Sequence, residues 1–400
     1  MYTTSRRTFA LLSVAALSLT ACGSDSDSGS DGGGGSDQVL RIAGLMPLTG
    51  AVADTYGASM IAGVEYVFDQ VNDDGGVEIN GEQYQIEFEV FDDQCAAEPS
   101  QAAAQKALDE DIEFFLGPIC SGAASAVQPT MARSEAFFGL APTAVAGPTE
   151  LPNVFRTFPL TSAYTDATVR WLEDNPDISK VAMITDQNHT GLVGEEERLV
   201  EEVEGVDREV VAVQQYQTGD TDFRAPVTEA IAAGPDLYMQ RAYPAEAAQL
   251  LQQTRELGGE MAVMWNAGVT NEEVRSLVPD EAMMENVYQA APLFSLDAFL
   301  TDGSELAQEV ADGVGDKAGA FTAAGHDLAT VVVAGLSNAE EATPDALIEA
   351  MTNLEASDLE GKTLNTYNPQ DDGLVFKDRE VDVLAAVVEW EQGTGWVMSE

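Results

Sequence analysis

"VLRIAGLMPLTG", residues 39–50, is an apolar run closed by Pro47 and Gly50, and it reads as a buried first strand running out into a loop. The period then changes. From Thr55 to Gln70, the apolar residues Met60, Ile61, Val64, Val67 and Phe68 recur at near-helical spacing. "NDDGGVEING" (72–81) is a turn, and "YQIEFEVFDD" (84–93) alternates as a strand does. Gln101 to Leu108 reads as helix and "IEFFLGP" (112–118) as another buried strand. This strand–helix–strand rhythm argues an α/β domain with a mostly parallel sheet.

The rhythm then repeats. "KVAMITD" (180–186), "REVVAVQQY" (208–216), "DLYMQ" (236–240) and "MAVMW" (261–265) are strands. Between them lie an acidic helix from Gly194 to Glu204, "FRAPVTEAIAAG" (223–234) and "EAAQLLQQTRELGG" (246–259), the last an amphipathic helix with a glycine stop. After "NVYQAAPLF" (286–294) come helical stretches around 305–317, 321–336 and 345–353. "VDVLAAVVEWEQGTGWVM" (381–398) reads as two strands and a Gly-rich turn. Two α/β domains facing each other account for the pattern.

Ahead of this body, Arg6-Arg7 precedes an apolar run from Phe9 to Leu19, and small residues then deliver Cys22 into a Gly, Ser and Asp tract. The run is about half the length that crosses a bilayer. The layout is that of an export signal, with the paired arginines of the twin-arginine address. "LTAC" (19–22) resembles the lipobox of bacterial lipoproteins, which implies a lipid anchor on Cys22. Ser24 to Asp37 has no apolar residue and reads as a disordered tether. Residues 1–22 are thus signal and 23–38 tether, and no later apolar run is a membrane-span candidate.

The folded part, residues 39–400, is long enough for two ordinary domains, and an apolar fraction of 45% supplies their cores. The chain has 69 acidic residues against 18 basic, a formal charge of −51. Nucleic-acid binding needs a positive footprint and is excluded on that ground. A uniformly anionic surface repels itself, and salt screens the repulsion, so the composition fits a saline habitat. The competing idea, a dedicated cation binder, is weakened because the carboxylates are spread out and match no calcium-loop spacing. Cys95 and Cys120 remain after Cys22. In an exported chain they are expected to form a disulfide, and with only His189 and His326 to assist, a metal site is poorly supported. No cofactor is expected.

Ligands on such sheets sit beyond the C-terminal strand ends. "GPICSGAASA" (117–126) gathers small residues, the Ser121 hydroxyl and backbone N–H groups at a helix start, which suits an anion or a plain N-cap. "APTAVAG" (141–147) offers Thr143 and exposed backbone, or is an ordinary turn. Arg241, one of few cations, follows a strand, and either grips a ligand carboxylate or forms a surface ion pair. Trp265 and Tyr164 are candidate aromatic walls or core residues; His189 is a candidate polar contact, and His326 a helix residue near the cleft wall. There is no GxSxG elbow, HExxH, GxxxxGK[ST] or first-strand GxGxxG, so no enzyme is nominated.

These stretches, with "LPNVFRTFP" (151–159) and "GDTDFRAPVTEAIAAGPDLYMQ" (219–240), together resemble the extracytoplasmic solute-binding proteins of ABC importers, of the branched-chain amino-acid (Leu/Ile/Val) type. The resemblance covers nearly all of the chain after the tether. It implies the type I periplasmic-binding fold: two Rossmann-like lobes with parallel-rich sheets, joined by a three-crossover hinge, closing on a small polar solute. Lobe one would be 39–157 plus 291–365, and lobe two 158–290 plus 366–400. A disulfide like Cys95–Cys120 belongs to the first lobe in many members. The resemblance also implies a lipid-anchored, monomeric carrier that docks on membrane permease subunits; a sensor of the same fold and a lipid-anchored amidase-like hydrolase are the alternatives. Ser121 matches the family's ligand serine, and the loop with Ala141, Thr143 and Val145 matches in kind. Thr190 stands where a tyrosine is usual, beside His189, and Ala267 stands about where an acidic partner for a ligand ammonium is expected. The ligand is therefore left among amino acids, amides, ureas and carboxylates.

The charge reading makes a prediction. The thermal midpoint rises with NaCl up to molar concentration; a midpoint indifferent to salt overturns the saline assignment.

Overall fold

The computed structural model describes residues 38–50, 52–266, 268–292, 296–301, 303–370, 372–383 and 385–399. The expected signal, the expected lipid-anchor residue Cys22 and nearly all of the expected tether lie outside them, as does Ala267.

The opening run forms β1 (Val39–Met46), a strand buried almost throughout because parallel neighbours and helices cover both of its faces. Around it the first sheet collects β2 (Val77–Ile79), β3 (Glu82–Asp92), β4 (Phe114–Leu116), β5 (Phe137–Leu140) and β6 (Val154–Arg156). The second sheet takes β7 (Lys180–Asp186), β8 (Glu209–Tyr216), β9 (Leu237–Arg241), β10 (Ala262–Trp265) and β11 (Val287–Pro292). Next in the chain come β12 (Phe376–Lys377), β13 (Glu380–Val381), β14 (Ala385–Glu391) and β15 (Gly395–Met398). The spatial orders are β12-β13-β6-β5-β4-β1-β3-β2 and β15-β14-β11-β10-β9-β7-β8. Both sheets are parallel except at their edges, where β2, β12, β14 and β15 run antiparallel to a neighbour.

The chain changes sheet three times: between β6 and β7, after β11, and between Val381 and Ala385. The third change divides the stretch 366–400 expected in the second lobe: β14 and β15 lie in the second sheet, whereas β12 and β13 lie in the first. Glu380 pairs with Arg156 in parallel and extends the first sheet, while Tyr367, Val375 and Phe376 are buried in the first core. A two-residue strand offers no periodicity, so this stretch was illegible as first-sheet structure. The helix Thr322–Ser337, which follows the second sheet in sequence, also returns to the first and packs on the helix Ala58–Asp73. Glycines at the crossing make this possible: a Cβ on Gly63 would run into the Thr322 carbonyl, and one on Gly325 into that of Met60. No single described helix is long and apolar enough to cross a membrane.

Cys95 and Cys120 are disulfide-bonded, with Cα atoms 5.4 Å apart and a sequence separation of 25. The bridge ties the loop after β3 to the residue preceding the helix Ser121–Met131. Beside it lies Asp93, fully buried, whose Oδ1 accepts from the Cys95 N–H at 2.9 Å while Oδ2 has no hydrogen-bond partner among the described residues. Burial pushes its carboxyl up to about 6, Asp92 adds to the rise, and the Cys95 N–H opposes it.

Two outcomes are expected. Replacing both cysteines by serine lowers the unfolding free energy by about 3 kcal/mol, the loop-closure value for this length, read from the denaturant midpoint. Asp93 binds its proton more tightly folded than unfolded, so its contribution to stability falls as pH rises from about 4 to about 6 and stays lost above. Asp93→Asn therefore raises stability at pH 7 by up to about 3 kcal/mol relative to its effect at pH 4; equal effects at both pH values contradict this.

Candidate functional site

In each sheet there is one place where successive strands depart to opposite sides: β1 lies between β3 and β4, and β7 between β8 and β9. Such switch points open a crevice at the C-terminal strand ends. The loops leaving both crevices meet around one cavity of ≈ 70 Å³. At about 10–15 Å³ per water by this measure, it has room for several waters or the compact head of a small solute.

The first sheet contributes Tyr56 after β1, Cys120 and Ser121 after β4, Pro142 and Ala144 after β5, and then Phe158 and Tyr164 from the first crossover. The second contributes His189 and Leu192 after β7, Ala242 and Tyr243 after β9, and Asn266 and Gly268 after β10. Phe321 closes one side. The rings touch across the lobes: Tyr56 meets Phe321 edge-on at 4.4 Å between centroids and Tyr243 at 5.7 Å, and Tyr243 meets His189 at 5.0 Å. A Cβ on Gly191 would approach Ser121 Oγ to 3.3 Å and Thr161 Oγ1 to 3.0 Å, so glycine lets the second lobe close this near the first.

The electrostatics are quiet at the surface of the cavity and strong behind it. Among the described lining residues there is no Asp, Glu, Lys or Arg. His189 Nδ1 accepts from the Leu192 N–H at 3.2 Å, and burial together with Arg241 pushes its pKa down to about 4, so the ring is neutral at pH 7. Burial likewise drives the Tyr56, Tyr164 and Tyr243 hydroxyls well above the usual phenol range. Asp186 and Glu246 add to the rise at Tyr243, which places negative charge one layer behind the second-lobe wall.

Of the residues singled out in the sequence, Ser121, Tyr164 and His189 line the cavity. Val145 and Thr190 line a neighbouring recess that shares Ala144 with it. Ala141 is buried in the core, and Thr143, fully buried, donates from Oγ1 to the Pro118 carbonyl, tying the two first-lobe loops together. Arg241 and Trp265 are corrections. Arg241 is neither at the surface nor in the cavity lining. Its Nη1 donates to Thr185 Oγ1 at 3.1 Å and its Nη2 to the Leu192 carbonyl at 2.7 Å, with Glu196 at 3.7 Å. Trp265 is fully buried, donates to Gln240 Oε1 at 3.0 Å and packs against Trp396. Both are the last residues of their strands, and these strands are covered on both faces; along β9 and β10 it is residues past the strand end that reach the cleft. Tyr243 and Asn266 do so, and the same rule would have found them. His326 is buried beside Asp327 in the helix behind the first sheet and does not line the cavity. No cluster of three or more His, Cys, Asp or Glu suited to a metal occurs among the described residues.

Residues 39–377 match the sequence model of a family described as periplasmic binding protein. A leucine-, isoleucine-, valine-, threonine- and alanine-binding protein of Pseudomonas aeruginosa is 26% identical over 324 residues, covering 78% of this chain and 82% of its own. Among solved structures, a leucine-binding protein from Thermotoga maritima superposes with a TM-score of 0.72 at 17% identity, over 90% of this chain and 98% of that one. An ABC-transporter solute-binding protein from Rhodopseudomonas palustris, in complex with 3,4-dihydroxybenzoic acid, gives 0.71 at 17%, over 90% and 96%.

Proposed function

The chain belongs to the periplasmic binding protein family, and we propose that it holds a small carboxylate-bearing solute with an apolar body and presents the closed, loaded form to an ABC permease. One observation carries this. Ser121, Tyr56, Tyr164, Tyr243 and Asn266 line one cavity, and the side-chain carbonyl of Asn266 is buried there with no hydrogen-bond partner among the described residues. A buried polar group left unpaired costs about 1–3 kcal/mol, so a wall that combines this carbonyl with four hydroxyl-bearing residues suits a solute that brings polar atoms of its own. Ser121 and the first amides of its 11-residue helix are donors suited to a carboxylate. The rings of Tyr56, Phe158, Tyr164, Tyr243 and Phe321 suit an apolar or aromatic body.

The action is hinge closure. Lining residues come from both sheets, so a bound solute has more contacts in the closed than in the open form and shifts the population toward closure. Nothing in this requires covalent chemistry, and the protein is a carrier. Its lobes are taken as the two sheets with their covering helices. The carrier is exported by the twin-arginine route, anchored through lipid on Cys22 and adapted to salt; the leader motif, the Gly, Ser and Asp tract and the charge of −51 support these readings.

A thermal-shift screen in molar NaCl tests the assignment, since a ligand that binds only the folded state raises the midpoint. L-leucine, L-isoleucine, benzoate and 4-hydroxybenzoate are the carboxylates; acetamide and urea are the controls. At least one carboxylate is expected to raise the midpoint, the controls are not, and Ser121→Ala weakens the responding carboxylate tenfold or more. A response to urea or acetamide alone, or turnover of any compound, overturns the proposal.

A further inference from the structure

Arg156 is fully buried at the end of β6, immediately before the chain first leaves the first sheet. It does not line the cavity, yet its guanidinium holds the loop that does. Nη1 donates to the Thr143 carbonyl at 3.0 Å and Nη2 to the Val145 carbonyl at 2.6 Å, on either side of Ala144. The remaining nitrogen, Nε, faces Glu380 Oε2 at 3.2 Å. Glu380 lies on β13, and after Val381 the chain makes its last change of sheet.

β13 and the turn before it also grip the far end of the loop. Glu380 Oε1 accepts from Thr149 Oγ1, and Arg379 Nε donates to the Thr149 carbonyl at 2.9 Å. Asp378 and Arg379 both have positive φ, 51° and 66°, forming the tight reversal that brings Glu380 alongside Arg156. On the other side of the crossover, Arg170 donates to the Ala385 carbonyl at 3.1 Å, fixing where the chain lands.

We infer that the Arg156–Glu380 pair is a mechanical link between the solute loop 141–149 and the third interlobe crossover. It rests on the reading of the cavity as the solute site. A guanidinium is a rigid planar fork, so the carbonyls of Thr143 and Val145 cannot shift together without moving the fork or breaking bonds to it. Its burial makes breaking expensive, because Glu380 is the only carboxylate within ion-pair distance of Arg156 among the described residues. A displacement of the loop by a solute is therefore passed to β13 and to the strand end from which the crossover departs. Arg156 is a positioning residue: it sets where the loop carbonyls stand and ties that position to the hinge.

Hydrogen–deuterium exchange on the protein without added solute tests the link apart from ligand identity. In Glu380→Gln the amides of 143–150 and those of 382–386 are expected to exchange at least tenfold faster together, while β7 and β9 keep wild-type protection. Arg156→Lys, which keeps the charge but not the fork, is expected to release 143–150 as well. Unchanged exchange at either end in Glu380→Gln, a rise spread equally over the second sheet, or wild-type loop protection in Arg156→Lys overturns the inference. The solute screen stands or falls on its own result, because no solute enters this experiment.

Discussion

Everything in this molecule that bears on function follows from parallel strands covered on both faces. A strand such as β1 or β7 has neighbours on either edge and helices above and below, so none of its own side chains is available to a solute. Chemistry is left to the residues that follow the C-terminal ends, and to the two places where strand order reverses. Because both reversals open toward the same cavity, loops far apart in sequence supply one wall each. The disulfide and the Gly63–Gly325 helix crossing hold the first of those walls in place.

The scarcity of cations gives the arginines a shared character. With 18 basic residues against 69 acidic, a free guanidinium would find surface carboxylates everywhere, yet several arginines are used inward, against backbone carbonyls. Arg255 reaches four of them, those of Gly259, Met261, Met283 and Glu285, and closes the turn around β10. Arg208 joins Val206 to Leu172, and Arg241 pins Leu192 under the cavity. Loop ends carry carbonyls that no helix or strand satisfies, and a planar fork of donors meets two at once. Reading Arg241 as a carboxylate clamp followed from its rarity; what the structure makes of that rarity is a set of staples for loops.

The elements with strong periodicity were legible in sequence: β1, the helix Ala58–Asp73, β7 and the helix Pro244–Glu256 lie where apolar spacing put them. So did the cleft loops, since the strand ends were marked. Within those loops the residue choice was less legible. Trp265 is large and Arg241 charged, but each is the last residue of its strand and stops short of the cleft. Tyr243, Tyr56 and Asn266 are unremarkable in type and become visible only when the sheets fix which direction is outward. The strand pair Phe376–Val381 had no readable signal, because its place in the first sheet depends on a tight turn and a contact with Arg156 more than two hundred positions away.

On the proposed reading, a protein of charge −51 must overcome its own field to take up a carboxylate. Salt screens charges farther away than a Debye length, about 3 Å at 1 M, so the distant surface acids drop out at molar salt. The groups that matter are the near ones, and these are arranged in layers. The cavity surface is uncharged among the described residues, His189 is held neutral, and the helix at Ser121 turns its amide ends toward the cavity. The nearby acids lie behind the opposite wall. Asp186 is hydrogen-bonded by Thr218 and the Asn188 N–H, and Glu246 by the Gly219 N–H. The site is thereby polarised, with donors at the first-lobe end and negative charge behind the second. A solute whose carboxylate faces Ser121, and whose apolar or electropositive end faces Tyr243, lies along that gradient; the reverse orientation opposes it.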